Sequence, residues 1–141
     1  MPKTYNDIYF SVRNKLRESG VEAFSLEARI LLAAAAGKTT EQLMRDMYLY
    51  TSSEIEERTH GMIRRRLQGE PLAYIAGSWE FYGLPMTVTP DVLIPRMDTE
   101  ILVDAAIDAI KGFGMKGRVL DLCCSVVLPA AAARSMRASR L

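Results

Sequence analysis

Four sets of side chains in this sequence are of types that carry chemistry. They are the single His60, the run Arg64–Arg65–Arg66, the adjacent pair Cys123–Cys124, and the aromatic group Trp79, Phe81 and Tyr82. A histidine can move a proton or hold a metal, but a metal site needs several ligands in one cluster. His60 stands alone within a charged helical stretch and reads as a surface residue. The arginine run reads as a solvated helix face. A contact with an acidic or nucleic-acid partner is the other option, and no interleaved aromatics favour nucleic acid. Cys123 and Cys124 have no second Cys/His pair to make a metal motif. Neighbouring cysteines rarely meet disulfide geometry, which points to free thiols and a reducing, cytoplasmic compartment. The aromatic group reads as packing. No residue is assigned a catalytic role, and no metal is expected.

Composition narrows the class further. The chain has 141 residues, 49% hydrophobic and 25% charged, with a formal net charge of +1. That balance excludes disordered, collagen-like and disulfide-scaffold classes. Near-neutral charge supplies no overall field for nucleic acid or an anionic membrane. The start, MPKTYNDIYF, is no signal peptide. The apolar run from Ile30 to Ala36 falls short of the ~18 residues of a membrane span. Neither a membrane nor direct nucleic-acid contact is expected.

The elements that must position these groups change along the chain. Thr4 with Asp7 predicts a capped helix carrying Tyr5, Ile8, Val12 and Leu16, stopping at Gly20. Ser25 is expected to cap a second helix that ends at Gly37. Thr39 with Gln42 opens a third, with Leu43, Met44 and Met47. Ser53 with Glu56 opens a fourth, with Ile55, Thr59, Met62, Ile63 and Leu67 on one side, ending near Gly69. Short connections make these a bundle. After Pro71 the pattern becomes two-fold. Trp79 and Phe81 share one face, a turn falls at Gly83–Leu84–Pro85, and Met86 to Thr89 alternates, which predicts a hairpin. Asp98 is expected to cap a helix carrying Ile101, Leu102, Ala105, Ala106, Ala109 and Ile110. Arg118 to Cys123 reads as a buried strand of an α/β sheet.

Charge and glycine divide the chain as well. Residues 1–70 hold 11 basic and 10 acidic side chains, and residues 71–124 hold 4 and 7. Residues 125–141 hold three arginines and no acid, and no glycine follows Gly117. The expected organisation is a helical bundle over 1–72, a hairpin connector over 73–96, a helix and strand over 97–124, and a distinct tail over 125–141.

Read as continuous text, three stretches stand out. They are Gly69–Glu70–Pro71 through Tyr74 to Gly77, then Glu80–Phe81–Tyr82–Gly83–Leu84, then Leu93–Ile94–Pro95–Arg96–Met97–Asp98–Thr99–Glu100. In this order and spacing, followed by Val119–Leu120–Asp121–Leu122–Cys123–Cys124, they resemble the HemK-type release-factor glutamine methyltransferases. The resemblance covers roughly residues 1–124, and Met97 replaces the family's usual proline. It implies an N-terminal bundle that recognises a peptide chain release factor. It also implies a Rossmann-like domain that binds S-adenosylmethionine and methylates the glutamine of the factor's Gly-Gly-Gln motif. The cofactor-side positions carried over are Asp121, Leu122, Cys123 and Cys124, with Leu93, Arg96 and Thr99 beside them.

The resemblance breaks at residue 125. Ser125–Val126–Val127–Leu128–Pro129 stands where the family places a glycine-rich turn, and the family's Asn-Pro-Pro-Tyr is absent, since the only asparagines are Asn6 and Asn14. β-Branched valines resist a positive-φ turn. The expected fold is therefore mainly α: a bundle, a hairpin and an incomplete remnant of the methyltransferase domain. The expected function is that of an N-terminal fragment, inactive alone and not binding S-adenosylmethionine, its tail read as out-of-frame text or a natural variant. A non-catalytic release-factor-binding module and a degenerate product are the alternatives. Self-association through residues 118–128 is expected from an uncovered strand.

Overall fold

The computed structural model describes residues 2–112. It divides into two compact units, one running to Ala76 and one starting at Gly77. The strand expected over 118–123 lies outside the described residues.

The first unit is helical. Helix α1 (Tyr5–Glu18) starts at a reciprocal cap: the Asp7 N–H donates to Thr4 Oγ1 at 3.2 Å, and the Thr4 N–H donates to Asp7 Oδ2 at 2.9 Å. Two donors without helical partners are thereby answered. Tyr5, Ile8, Val12 and Leu16 form its buried face, as their spacing predicts. Helix α2 (Phe24–Ala36) ends at Gly37, which takes the left-handed conformation with φ 64°. Its start differs from expectation. Ala23, not a side-chain cap, precedes it, while the Ser25 hydroxyl lies 2.8 Å from the Tyr9 hydroxyl. A link between helices has taken the group that local chemistry would use at the helix end.

Helix α3 (Thr40–Arg45) opens on the Thr39–Gln42 capping box and buries Leu43 completely. Met47 is buried beyond its end, whereas Met44 is half exposed, against expectation. Helix α4 (Ser53–Leu67) is capped by Ser52 rather than Ser53; the Ile55 N–H donates to Ser52 Oγ at 3.3 Å. Glu56 is thus freed from capping and pairs with Lys3. Ile63 is buried, and the fully buried Thr59 hydroxyl donates to the Ile55 carbonyl at 2.7 Å. Leu67, expected on the inner side, is 45% exposed. A fifth helix, α5 (Leu72–Ala76), was not expected. The Pro71 carbonyl accepts the N–H groups of Tyr74 and Ile75 at its start.

These helices close one core, in which Val12, Leu16, Leu31, Leu32 and Leu43 are completely buried. The chain start is tied to the α3–α4 connection by backbone bonds. The Tyr5 N–H donates to the Leu49 carbonyl at 3.1 Å, and the Thr51 N–H donates to the Lys3 carbonyl at 2.9 Å.

The second unit begins with strands β1 (Ser78–Phe81) and β2 (Leu84–Thr87), paired antiparallel with Phe81 opposite Leu84 and Ser78 opposite Thr87. The turn is therefore Tyr82–Gly83, not Gly83–Leu84–Pro85, and Leu84 and Pro85 belong to β2. Both turn residues have positive φ, 51° and 71°. That twist matches the two strands, and glycine adopts it without strain while tyrosine does not. Trp79 and Phe81 do share the more buried face. Helix α6 (Asp98–Gly112) follows. Its buried face differs from the expected one. Val103 is fully buried and Ile107 packs beside it, whereas Ile101 and Leu102 are 71% and 59% exposed. The helix has apolar residues on two sides, and Phe81 of the hairpin selects the Val103 side.

Candidate functional site

In the helical unit, the functional side chains of interest lie on α4. Its inner positions Ile55, Thr59 and Ile63 turn to the core, so Arg58, Arg64 and Arg65 must turn outward. The three consecutive arginines then part company. Arg66 reaches inward to Glu27 of α2, its Nε 2.6 Å from Oε2 and its second nitrogen 3.0 Å from Oε1. This two-pronged pair is mostly buried, and the bond to Glu27 raises the Arg66 pKa. Arg65 forms a similar fork with Glu70, at 2.7 and 2.5 Å, which holds the Glu70 carboxyl below its ordinary range. Arg64 and Arg58 have no ion-pair partner among the described residues and project into solvent. The expectation of a solvated face is correct for them and wrong for Arg66. Nothing local could have shown the Glu27–Arg66 pair, because its members are 39 residues apart.

His60 lies half-buried, its Nε2 3.5 Å from Glu56 Oε1. Lys3 is the main cause of the depressed Glu56 pKa, and His60 adds less. Among the described residues no three His, Cys, Asp or Glu side chains are grouped to hold a metal ion. No described helix is long and apolar enough to cross a membrane.

In the second unit, two of the sequence signatures meet in space. The Tyr82 N–H, in the strained turn, donates to Glu100 Oε1 at 2.8 Å. The Tyr82 hydroxyl donates to Asp104 Oδ1 at 2.6 Å, and that bond is the main reason its pKa is raised. Glu100 and Asp104 are one turn apart on α6, so a single helix face grips the tyrosine by both ends. The carboxylate of the Pro95-to-Glu100 segment thus holds the positive-φ residue of the Glu80-to-Leu84 segment. The link was not anticipated from sequence; a tyrosine before glycine in a turn was the available signal.

The site residues proposed from sequence are distributed as follows. Leu93 is 67% exposed, Arg96 is exposed, and Thr99 is half-buried with its N–H donating to the Arg96 carbonyl at 3.0 Å. Pro95 between them is buried. Arg96 and Thr99 are thus held together by the backbone at the start of α6. These three residues do not by themselves enclose a ligand. Asp121, Leu122, Cys123 and Cys124 lie outside the described residues.

Known proteins resemble most of the chain. Residues 10–77 match the family model described as the PrmC N-terminal domain. A release factor glutamine methyltransferase of Burkholderia pseudomallei is 45% identical over 107 residues, covering 76% of this chain and 36% of that protein. One of Neisseria gonorrhoeae is 44% identical over 97 residues, covering 69% of this chain and 34% of its own length. A bifunctional methyltransferase of Rickettsia typhi is 38% identical over 110 residues, covering 78% of this chain and 21% of its own. The chain therefore spans about a third or less of the length of these relatives.

Proposed function

The chain belongs to the HemK-type release-factor glutamine methyltransferase family, and from that premise we propose that it supplies the family's recognition module without its chemistry. The helical unit docks on a peptide chain release factor in the cytoplasm. Methyl transfer to the factor's glutamine needs S-adenosylmethionine, and this chain does not bind it. The single observation that carries the reading is a helical unit with one apolar core of its own, over residues that match the PrmC N-terminal domain. The relatives' names supply the partner, since they are named for acting on release factors.

The cofactor side of the proposal rests on Ser125, Val126 and Val127, which stand where the family requires a glycine turn for close approach to the ligand. Leu93, Arg96 and Thr99 remain as the positions that the family places beside the cofactor. The proposed module is the bundle over 1–72, joined by the connector over 73–96 to the start of the methyltransferase domain over 97–124. Calorimetric titration of the full chain tests both halves. Purified release factor is expected to bind saturably, and S-adenosylmethionine to give no heat of binding at micromolar concentration. No binding of the factor, or saturable binding of the cofactor, overturns the reading.

A further inference from the structure

The two backbone bonds that tie the chain start to the α3–α4 connection, Tyr5 N–H to Leu49 carbonyl and Thr51 N–H to Lys3 carbonyl, enclose an antiparallel bridge between Thr4 and Tyr50. In that pattern the two facing residues exchange no bond, and their own backbone groups point away from each other. On the Thr4 side those groups are used: the N–H donates to Asp7 Oδ2 and the carbonyl accepts the Ile8 N–H. On the Tyr50 side neither the N–H nor the carbonyl meets a partner among the described residues. Two residues on, Ser52 is extended, and its N–H also has no partner among the described residues. The connection therefore carries a short, open strand edge.

Its side chains are as unusual as its backbone. Tyr48, Leu49 and Tyr50 are consecutive and are 83%, 56% and 71% exposed. Clustered apolar exposure marks interaction surfaces, and tyrosine is among the residues that anchor them. The backbone beneath is fixed. Met47 is buried, its carbonyl accepts the Asn6 N–H at 2.8 Å, and the Leu49 N–H donates to the Asp46 carbonyl at 2.9 Å. A fixed edge loses little freedom when a partner pairs with it.

We infer that the edge from Tyr50 to Ser52 takes an extended segment of a protein partner, which adds a strand beside it and packs on the exposed side chains of Tyr48 to Tyr50. The inference rests on the reading that the helical unit docks on a release factor, and it names the surface and the mode of recognition. The occupant follows from the edge. A donor, an acceptor and a second donor along one extended backbone are answered together by the alternating carbonyl and N–H groups of another extended polypeptide. A phosphate backbone offers acceptors alone and leaves the Tyr50 carbonyl unanswered. A second copy of this chain fits less well. Its backbone turns at Tyr48, so pairing about Tyr50 would set a turn, not a strand, against Ser52.

The test follows hydrogen exchange at single amides of the full chain by nuclear magnetic resonance, with and without release factor, beside binding titrations of Tyr50→Ala, Tyr50→Pro and Leu26→Ala. The Tyr50 and Ser52 amides are expected to exchange rapidly in the free chain and to slow at least about tenfold in the complex. Tyr50→Ala is expected to weaken binding about tenfold through loss of the ring. Tyr50→Pro also removes the N–H and should weaken it about tenfold further. The two variants should melt alike, because that N–H has no partner in the free chain; a merely structural role would lower the melting temperature with the affinity. If Tyr50→Pro fails to fold, exchange in the unsubstituted chain decides. Leu26→Ala, at another exposed apolar position, should leave binding unchanged.

Factor binding that leaves the Tyr50 and Ser52 amides unprotected overturns the edge alone. Equal losses in Leu26→Ala and Tyr50→Ala overturn it in favour of general apolar contact. Protection that rises with chain concentration in the absence of factor replaces the partner with a second copy. No binding of the factor by the unsubstituted chain overturns the underlying functional reading, and the edge's partner with it.

Discussion

The two units of this chain differ in how they make their cores. Up to Ala76, five helices bury Val12, Leu16, Leu31, Leu32 and Leu43 completely and leave their charged faces outside. From Gly77 onward, the buried cluster among the described residues is Phe81 and Val103, and Leu93, Met97, Ile101 and Leu102 are all more than half exposed. The first unit is held by many apolar side chains from every helix. Among its described residues, the second is held by one aromatic anchor and by the hydrogen bonds that Tyr82 donates to Glu100 and Asp104. Apolar burial is spread over many contacts, whereas a few polar bonds concentrate the stability at single residues. The difference teaches that, among the described residues, the second unit does not repeat the broad apolar burial that closes the first.

The largest effect that could break this comparison comes from matched leucine deletions. Leu31→Ala, at a fully buried position, is expected to cost about 2–5 kcal/mol. Leu102→Ala, 59% exposed, should change stability by no more than ~0.5 kcal/mol. Urea melts followed by circular dichroism decide it. A loss at Leu102 equal to that at Leu31 would mean that the second unit is as well covered as the first.

Next in size is the Glu27–Arg66 pair. Glu27→Ala strands a guanidinium that is 24% exposed. The loss is expected at about 2 kcal/mol, below the full cost for a buried charge because water still reaches it. Arg66→Met with Glu27→Leu should recover part of that loss. If Glu27→Ala is silent, the pair is only a surface contact.

A smaller effect is expected in the hairpin. Glu100→Ala removes the acceptor of the Tyr82 N–H and should cost about 1 kcal/mol, while Glu100→Gln keeps an acceptor oxygen and should cost less. Proton exchange at the Tyr82 amide, measured by nuclear magnetic resonance, should quicken in the first variant and change little in the second. Equal exchange in all three proteins would remove the carboxylate from the account of the turn.

The smallest effect separates the units by pH. Asp7, Glu41, Glu56 and Glu70, all in the helical unit, are held below the ordinary carboxylate range, chiefly by bonds from the Thr4 side chain, the Glu41 backbone, Lys3 and Arg65 respectively. A lowered folded pKa gives stability that is complete above the ordinary value and lost as pH falls through the folded one. The helical unit should therefore soften below about pH 4. Tyr82 moves the other way: its folded pKa is raised, so its contribution is present below its ordinary value and lost above about pH 10. Melting curves across both ranges check the signs.

What could be read from sequence was what depends on neighbours in the chain. Thr4 with Asp7 and Thr39 with Gln42 cap helices as expected, because both partners lie within one turn. Ser25 failed as a cap because Tyr9, sixteen residues away, engages its hydroxyl. Ser52 displaced Ser53 since two adjacent serines are equivalent until the backbone chooses. Helix α5 has five residues, too few to show a period. The buried face of α6 was misread because Ile101 and Leu102 are as apolar as Val103 and Ile107, and only the hairpin's Phe81 tells them apart. Among the candidate positions, Leu93, Arg96 and Thr99 could be named from motif text, but their exposure could not. The grip of Glu100 and Asp104 on Tyr82 needed the fold.

Amide hydrogen exchange on the full chain tests the central claim most directly, with release factor added in one experiment and S-adenosylmethionine in another. The account predicts slower exchange within the helical unit when the factor is added, and no change anywhere with the cofactor. Protection by S-adenosylmethionine around Leu93, Arg96 and Thr99, or an unprotected helical unit in the presence of the factor, would contradict it.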